Sequence, residues 1–87
     1  MYRVRWDRVA VNELAAFWMQ APPALRNVIT AAANRVDQAL QTSPETKGES
    51  RGVDRVFFSL PLAVRFRVYP PDRRVRVLHV WVLTPRS

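Results

Sequence analysis

Arg65 and Arg67 stand two residues apart in the alternating run Val64-Arg65-Phe66-Arg67-Val68. In a strand that spacing sends both guanidinium groups to one face. A guanidinium stays protonated throughout the physiological range, and its planar fork matches the oxygens of a phosphate. Arg55, in an earlier alternating run, is placed to join them from the neighbouring strand of a hairpin. Such a cluster is a phosphate seat. Cleavage of RNA by its own 2′-hydroxyl needs a cation to steady the phosphorane, a base for the hydroxyl proton and an acid for the leaving oxygen. Arginine supplies only the first. His79 is the only side chain titrating near neutral pH, but its place inside an apolar run predicts a packed or hydrogen-bonded histidine rather than a base. Tyr69 falls on the Arg65 side of its strand, where it can stack on a base, donate a proton, or cover the turn that follows. Arg74 and Arg76 flank a hairpin with Arg73 and can touch phosphates, with affinity that falls with salt and no choice of sequence. The same arginines would also serve as a solvated face that keeps the protein soluble.

The charge is unevenly placed. Residues 51–87 hold eight arginines against two acids, whereas residues 1–50 hold six basic and five acidic groups. A one-sided positive field attracts polyanions, so the expected partners are RNA, DNA or an acidic protein. There are no cysteines, which excludes disulfide and thiol chemistry. One histidine and seven scattered carboxylates give no metal-ligand cluster, and neither metal nor cofactor is expected. No apolar run is long enough to span a membrane, and the first residues lack an apolar signal core, so the expected compartment is the cytoplasm.

The elements that must position these groups form a single domain, residues 1–87. Tyr2, Val4 and Trp6 alternate with Arg3 and Arg5, a half-buried strand. Asp7 sits where a helix N-cap belongs. Ala10, Leu14, Phe17 and Trp18 then share one helix face. Pro22-Pro23 ends that helix and opens the next, along which Leu25, Val28, Ile29, Ala32, Val36 and Leu40 make a stripe predicted to be core. Thr42-Ser43-Pro44 closes the hairpin. Glu45–Gly52, polar and holding both glycines, reads as a mobile loop. Three strands follow: Val56, Phe58 and Leu60 alternate in the first, Val64, Phe66 and Val68 in the second, and Pro70-Pro71-Asp72 turns into the third. The near-continuous apolar run Val75–Val82 suggests a central strand. The three tryptophans, Trp6, Trp18 and Trp81, are expected in or near the core. The predicted fold is α+β with order β-α-α-β-β-β: a largely antiparallel sheet with a helical hairpin packed on one face. Val64, Phe66 and Val68 should face the helices, and Arg65 and Arg67 the open side. The place of the first strand is left open.

This order, together with Leu62-Ala63-Val64-Arg65-Phe66-Arg67-Val68-Tyr69, Asp72 and Arg76-Val77-Leu78-His79-Val80, resembles the RelE/ParE superfamily of type II toxins. The resemblance covers nearly the whole chain by element order and is specific over residues 62–82. It implies a bacterial cytoplasmic toxin neutralised by an acidic antitoxin. RelE-like members are metal-independent endoribonucleases that cut messenger RNA on the ribosome, and ParE-like members act on DNA gyrase. It carries Arg65 onto the family's strand arginine, which faces the scissile phosphate, and sets Arg51 and Arg55 near basic positions of the preceding strand. It also implicates Arg86, one residue beyond the expected C-terminal arginine. The chain departs from the pattern in Val82-Leu83-Thr84-Pro85, where many members carry a His-Gly-x-Arg-like segment, and no late tyrosine follows.

The leading expectation is therefore a RelE-like mRNA interferase with Arg65, Arg55 and Arg86 as its catalytic groups. Arg51, Arg67, Tyr69, Arg74 and Arg76 would hold phosphates. A degenerate toxin that only binds its antitoxin is one variant, and a gyrase inhibitor is another. The rival from a different class is a non-catalytic basic module that binds nucleic acid.

Overall fold

The computed structural model describes residues 1–83. The elements are β1 (Arg3–Trp6), α1 (Arg8–Gln20), α2 (Pro23–Ala39), β2 (Glu49–Arg51), β3 (Asp54–Ser59), β4 (Leu62–Tyr69) and β5 (Arg74–Val82), with short 3₁₀ turns at Pro44–Thr46 and Pro70–Asp72. They form the expected α+β fold, two helices packed on a five-stranded sheet of order β1-β5-β4-β3-β2. Every pairing is antiparallel except β1 with β5, where Arg3 to Trp6 run beside Arg74 to Val77. The first strand thus lies at the sheet edge, against the last.

The core lies between the helices and one sheet face. Ile29, Ala32, Val36 and Leu40 meet Leu62, Val64, Phe66, Val75, Val77 and Val80, all essentially closed to solvent. Val64, Phe66 and Val68 face the helices, as their alternation requires. The predicted α2 stripe overreaches, because Leu25 and Val28 in its first turns are exposed. Only from Ile29 onward does the stripe enter the core. Polar contacts lock α2 to β3: the Ser59 hydroxyl donates to the Ala32 carbonyl at 3.1 Å, and Arg35 donates to Ser59 Oγ and to the Leu60 carbonyl. Ser59 and Phe57 are therefore the helix-facing residues of this strand, while Phe58 and Leu60 are exposed.

Asp7 stands at the N-cap of α1 but makes no side-chain cap bond. Its carboxylate instead accepts two hydrogen bonds from Arg76, from Nε at 3.0 Å and Nη2 at 2.6 Å. A charged bidentate partner outcompetes a backbone amide. The segment read as a mobile loop contains β2, paired with β3 through Glu49–Val56, Ser50–Arg55 and Arg51–Asp54. Its three residues are all exposed, so no apolar alternation announced it. Gly52, at φ +66°, is the first of two turn residues joining the strands, the position that type II′ hairpins give to glycine.

Of the tryptophans, only Trp6 sits near the core, donating from Nε1 to Asp37 at 3.1 Å. Trp18 and Trp81 are 41% and 40% exposed, contrary to expectation. β5 is interior, but its unbroken apolar run has a different cause from two-sided burial. Arg65 pairs with His79 and Phe66 with Val77, so Leu78 is an extra residue. This bulge reverses the alternation. Before it Val75 and Val77 point to the helices; after it Val80 does.

Candidate functional site

The sheet face away from the helices carries the arginines. Cross-strand partners share a face, so Arg67 lies beside Arg76 and Tyr69 beside Arg74 across β4 and β5, and Arg5 and Arg3 extend the two rows onto β1. Arg65 and Arg67 stand at the centre, on the open side as predicted. Between them lies Asp54, only 6% exposed, which accepts from Arg65 Nε at 2.8 Å and from Arg67 Nε at 2.6 Å. The hydrogen bond from Arg67 is the main reason that this carboxyl is held below the usual carboxylate range; burial opposes it and Arg65 adds to it. Asp54 in turn raises Arg67. Each arginine spends one of its five donors on Asp54, so the terminal nitrogens remain for an anion. The carboxylate fixes the angle of both forks.

The bulge sets His79 directly opposite Arg65 on this face. His79 is therefore solvent-exposed and not packed in the strand. Its Nδ1 lies 3.4 Å from Glu13 Oε1 of α1, and its ring stacks on Trp81 with centroids 6.2 Å apart. Glu13 also accepts the Val80 N–H at 3.0 Å, a contact that binds α1 to the part of β5 that β1 leaves unpaired. Arg65, His79 and Trp81 thus bring a phosphate ligand, an imidazole and an aromatic plane onto adjoining positions.

The remaining predicted residues divide. Arg55 does not join the cluster. It pairs with Phe66 and so lies on the helix-facing side, where it donates to the Lys47 carbonyl at 2.7 Å and the Gly48 carbonyl at 3.0 Å. The reason is parity: Arg65 is opposite Val56, one residue on. Arg51 is on the open face at the β2 edge, paired with Glu49 at 2.8 Å. Arg74 contacts Asp72 at 3.2 Å and lies over the Tyr69 ring at 5.7 Å. Arg76, besides Asp7, donates to the Tyr69 hydroxyl at 3.2 Å, and these partners raise its pKa, Asp7 most. Arg86 lies outside the described residues.

Sequence reasoning missed Asp54, Glu13, Arg3 and Arg5. The first two carry no local signal, since each meets its partner only through the tertiary fold. The two arginines alternated visibly in β1, but their membership of this face depended on the parallel pairing with β5. Among the described residues there is no group of three or more metal-ligating side chains, and no helix is long and apolar enough to cross a membrane.

No family model and no curated protein sequence matches this chain. Solved structures do. A chain of the chromosomal ParDE toxin–antitoxin system from P. aeruginosa superposes with a TM-score of 0.75 at 17% identity, covering 97% of this chain and 98% of that one. A chain of the RelBE2 toxin–antitoxin complex from Mycobacterium tuberculosis gives 0.71 at 19% identity, covering 93% and 90%. The isolated E. coli RelE toxin gives 0.63 at 18% identity, covering 100% and 88%. The chain has the fold shared by the RelE and ParE toxins, over essentially its full described length.

Proposed function

We infer that the protein is the toxin of a type II toxin–antitoxin pair, restrained by an acidic antitoxin, and that its open face cleaves messenger RNA on the ribosome. The carrying observation is the apposition of Arg65 and His79 on a basic face, with Asp54 and Glu13 behind them. A phosphate held by the free nitrogens of Arg65 and Arg67 leaves His79 Nε2 to take the 2′-hydroxyl proton. The 2′-oxygen bonds to phosphorus, the P–O5′ bond breaks, and the imidazolium returns the proton to the departing oxygen. The products are a 2′,3′-cyclic phosphate and a 5′-hydroxyl, and no metal is required. Trp81 offers a plane for a neighbouring base.

An antitoxin partner is supported by the toxin–antitoxin complexes among the similar structures. A net charge of +7 suits an acidic protein. A second surface suits an apolar segment: a groove of about 380 Å³ between α1 and α2, lined by Leu14, Trp18, Met19 and Ile29 among others.

The test is induced expression with and without any small acidic protein found encoded beside this gene, with cut messages mapped. Arrest without the partner, relief with it, and cuts in translated messages are expected. Arrest with intact messages and DNA damage would favour gyrase inhibition, a reading supported by the 0.75 superposition on ParDE and by the absence of Arg55 from the cluster. No arrest, together with salt-sensitive binding of naked RNA, would favour a simple nucleic-acid-binding module.

A further inference from the structure

At the other end of the open face, about 470 Å³ of concave space lies where β1 and β5 meet the start of α1. Its walls include Arg5, Arg8, Arg74, Arg76, Tyr69 and Asp7. Two of the four arginines are already placed. Arg76 is fixed by both Asp7 oxygens and by the Tyr69 hydroxyl, and Arg74 lies over the Tyr69 ring with one contact to exposed Asp72. Arg5 and Arg8 have no hydrogen-bond or ion-pair partner among the described residues. The single carboxylate in the walls is spent on Arg76, so the cleft keeps a surplus of positive charge in a concave setting that concentrates it. Because Asp7 turns to Arg76, the first-turn amides of α1 have no side-chain acceptor. Those amides and the helix's positive end add to the attraction for an anion there.

We propose that this cleft binds a phosphate group, gripped by Arg5 and Arg8 against the fixed fork of Arg76. Carboxylates are the weaker match, since several guanidinium groups lining one cleft can meet more acceptor oxygens than a carboxylate offers. The proposal does not depend on chemistry at Arg65 and stands if that site proves inactive. The phosphate has two sources, the terminal monoester of a strand or nucleotide and the internal diester of a nucleic acid.

The probes are inorganic phosphate and a short single-stranded RNA with and without a 5′-phosphate, titrated into the intact protein and followed by amide chemical shifts. Apart from any shifts at Arg65, Arg67 and His79 that report the first site, a distinct focus should appear on Arg5 to Val9 and on Tyr69 and Arg76. The double variant Arg5→Gln/Arg8→Gln should weaken binding by about tenfold or more, whereas Arg26→Gln/Lys47→Gln, which removes equal charge outside the cleft, should change it little. Preference for the 5′-phosphorylated strand assigns the site to a strand end, and equal binding of both strands assigns it to an internal phosphate. Equal loss in the two double variants, or wild-type shifts spread over the sheet without a focus, would overturn the proposal. The wild-type map remains decisive even if a variant folds poorly.

Discussion

Arg65 and His79 face each other across β4 and β5 because Leu78 is an extra residue in β5. Without that bulge the alternation set by Val75 and Val77 would carry His79 to the helix side. The bulge thus places the one imidazole of the chain on the arginine face, while Glu13 reaches it from α1.

Under the proposed cleavage reaction, replacement of either residue should slow the reaction, for different reasons. His79→Gln keeps a polar side chain but removes the proton acceptor, and should slow cleavage by about 10²-fold or more. Arg65→Ala removes charge from the phosphorane and should cost about 10²- to 10³-fold. Both variants should still bind the antitoxin and unfold cooperatively, because both side chains are solvent-exposed or half-exposed. Cleavage assays on programmed ribosomes, paired with antitoxin capture, separate loss of catalysis from loss of fold.

Asp54 makes stability depend on acid. Its carboxyl is held below the ordinary range by Arg67 and Arg65, so in mild acid the unfolded chain binds a proton that the folded chain refuses. The stabilisation is complete above the ordinary carboxylate pKa of about 4 and declines as pH falls below it. Asp54→Asn should flatten that acid limb. At neutral pH the substitution should cost about 1–2 kcal/mol, between the values for an exposed and a fully buried pair, since Asp54 is buried but the two arginines are 39% exposed. Thermal unfolding at a series of pH values measures both.

How far the sequence revealed this site follows from the range of the forces involved. The shared face of Arg65 and Arg67 was legible, because alternation is local. The helical hairpin was legible from Pro22-Pro23 and the 3.6-residue stripe. Arg55 was misplaced because strand parity in a hairpin depends on register, and Leu60-Pro61 alone did not set it. His79 was misread because a bulge looks like an unbroken apolar run when its extra residue, here Leu78, is itself apolar. The ties of Asp54 to Arg65 and Arg67, and of Glu13 to His79, span 11 residues or more, and no local pattern marks them.

The two glycines should respond differently to alanine. A Cβ on Gly48 would stand 2.1 Å from the Val56 carbonyl oxygen, and the residue is at φ +67°. Gly48→Ala must push β3 away and should cost about 2–4 kcal/mol. A Cβ on Gly52 meets nothing within 4 Å, leaving only the left-handed backbone at φ +66°, so Gly52→Ala should cost about 1 kcal/mol. Denaturant midpoints for the two variants should therefore be well separated. Similar values would mean that β3 yields to a Cβ at Gly48 at little cost.

Asp7 and Arg76 should behave as a coupled pair. If Asp7 acted as a simple N-cap, Asp7→Ala would cost about 1 kcal/mol whether or not Arg76 was present. The observed geometry, with both carboxylate oxygens on one guanidinium and no cap bond, requires the opposite. A double-mutant cycle of Asp7→Ala and Arg76→Ala should return a coupling of about 0.5–1 kcal/mol, since Arg76 is 45% and Asp7 26% exposed. That coupling should shrink as salt is raised. A zero coupling at low salt would return Asp7 to the role of helix cap and would release Arg76 as a mobile side chain on the open face.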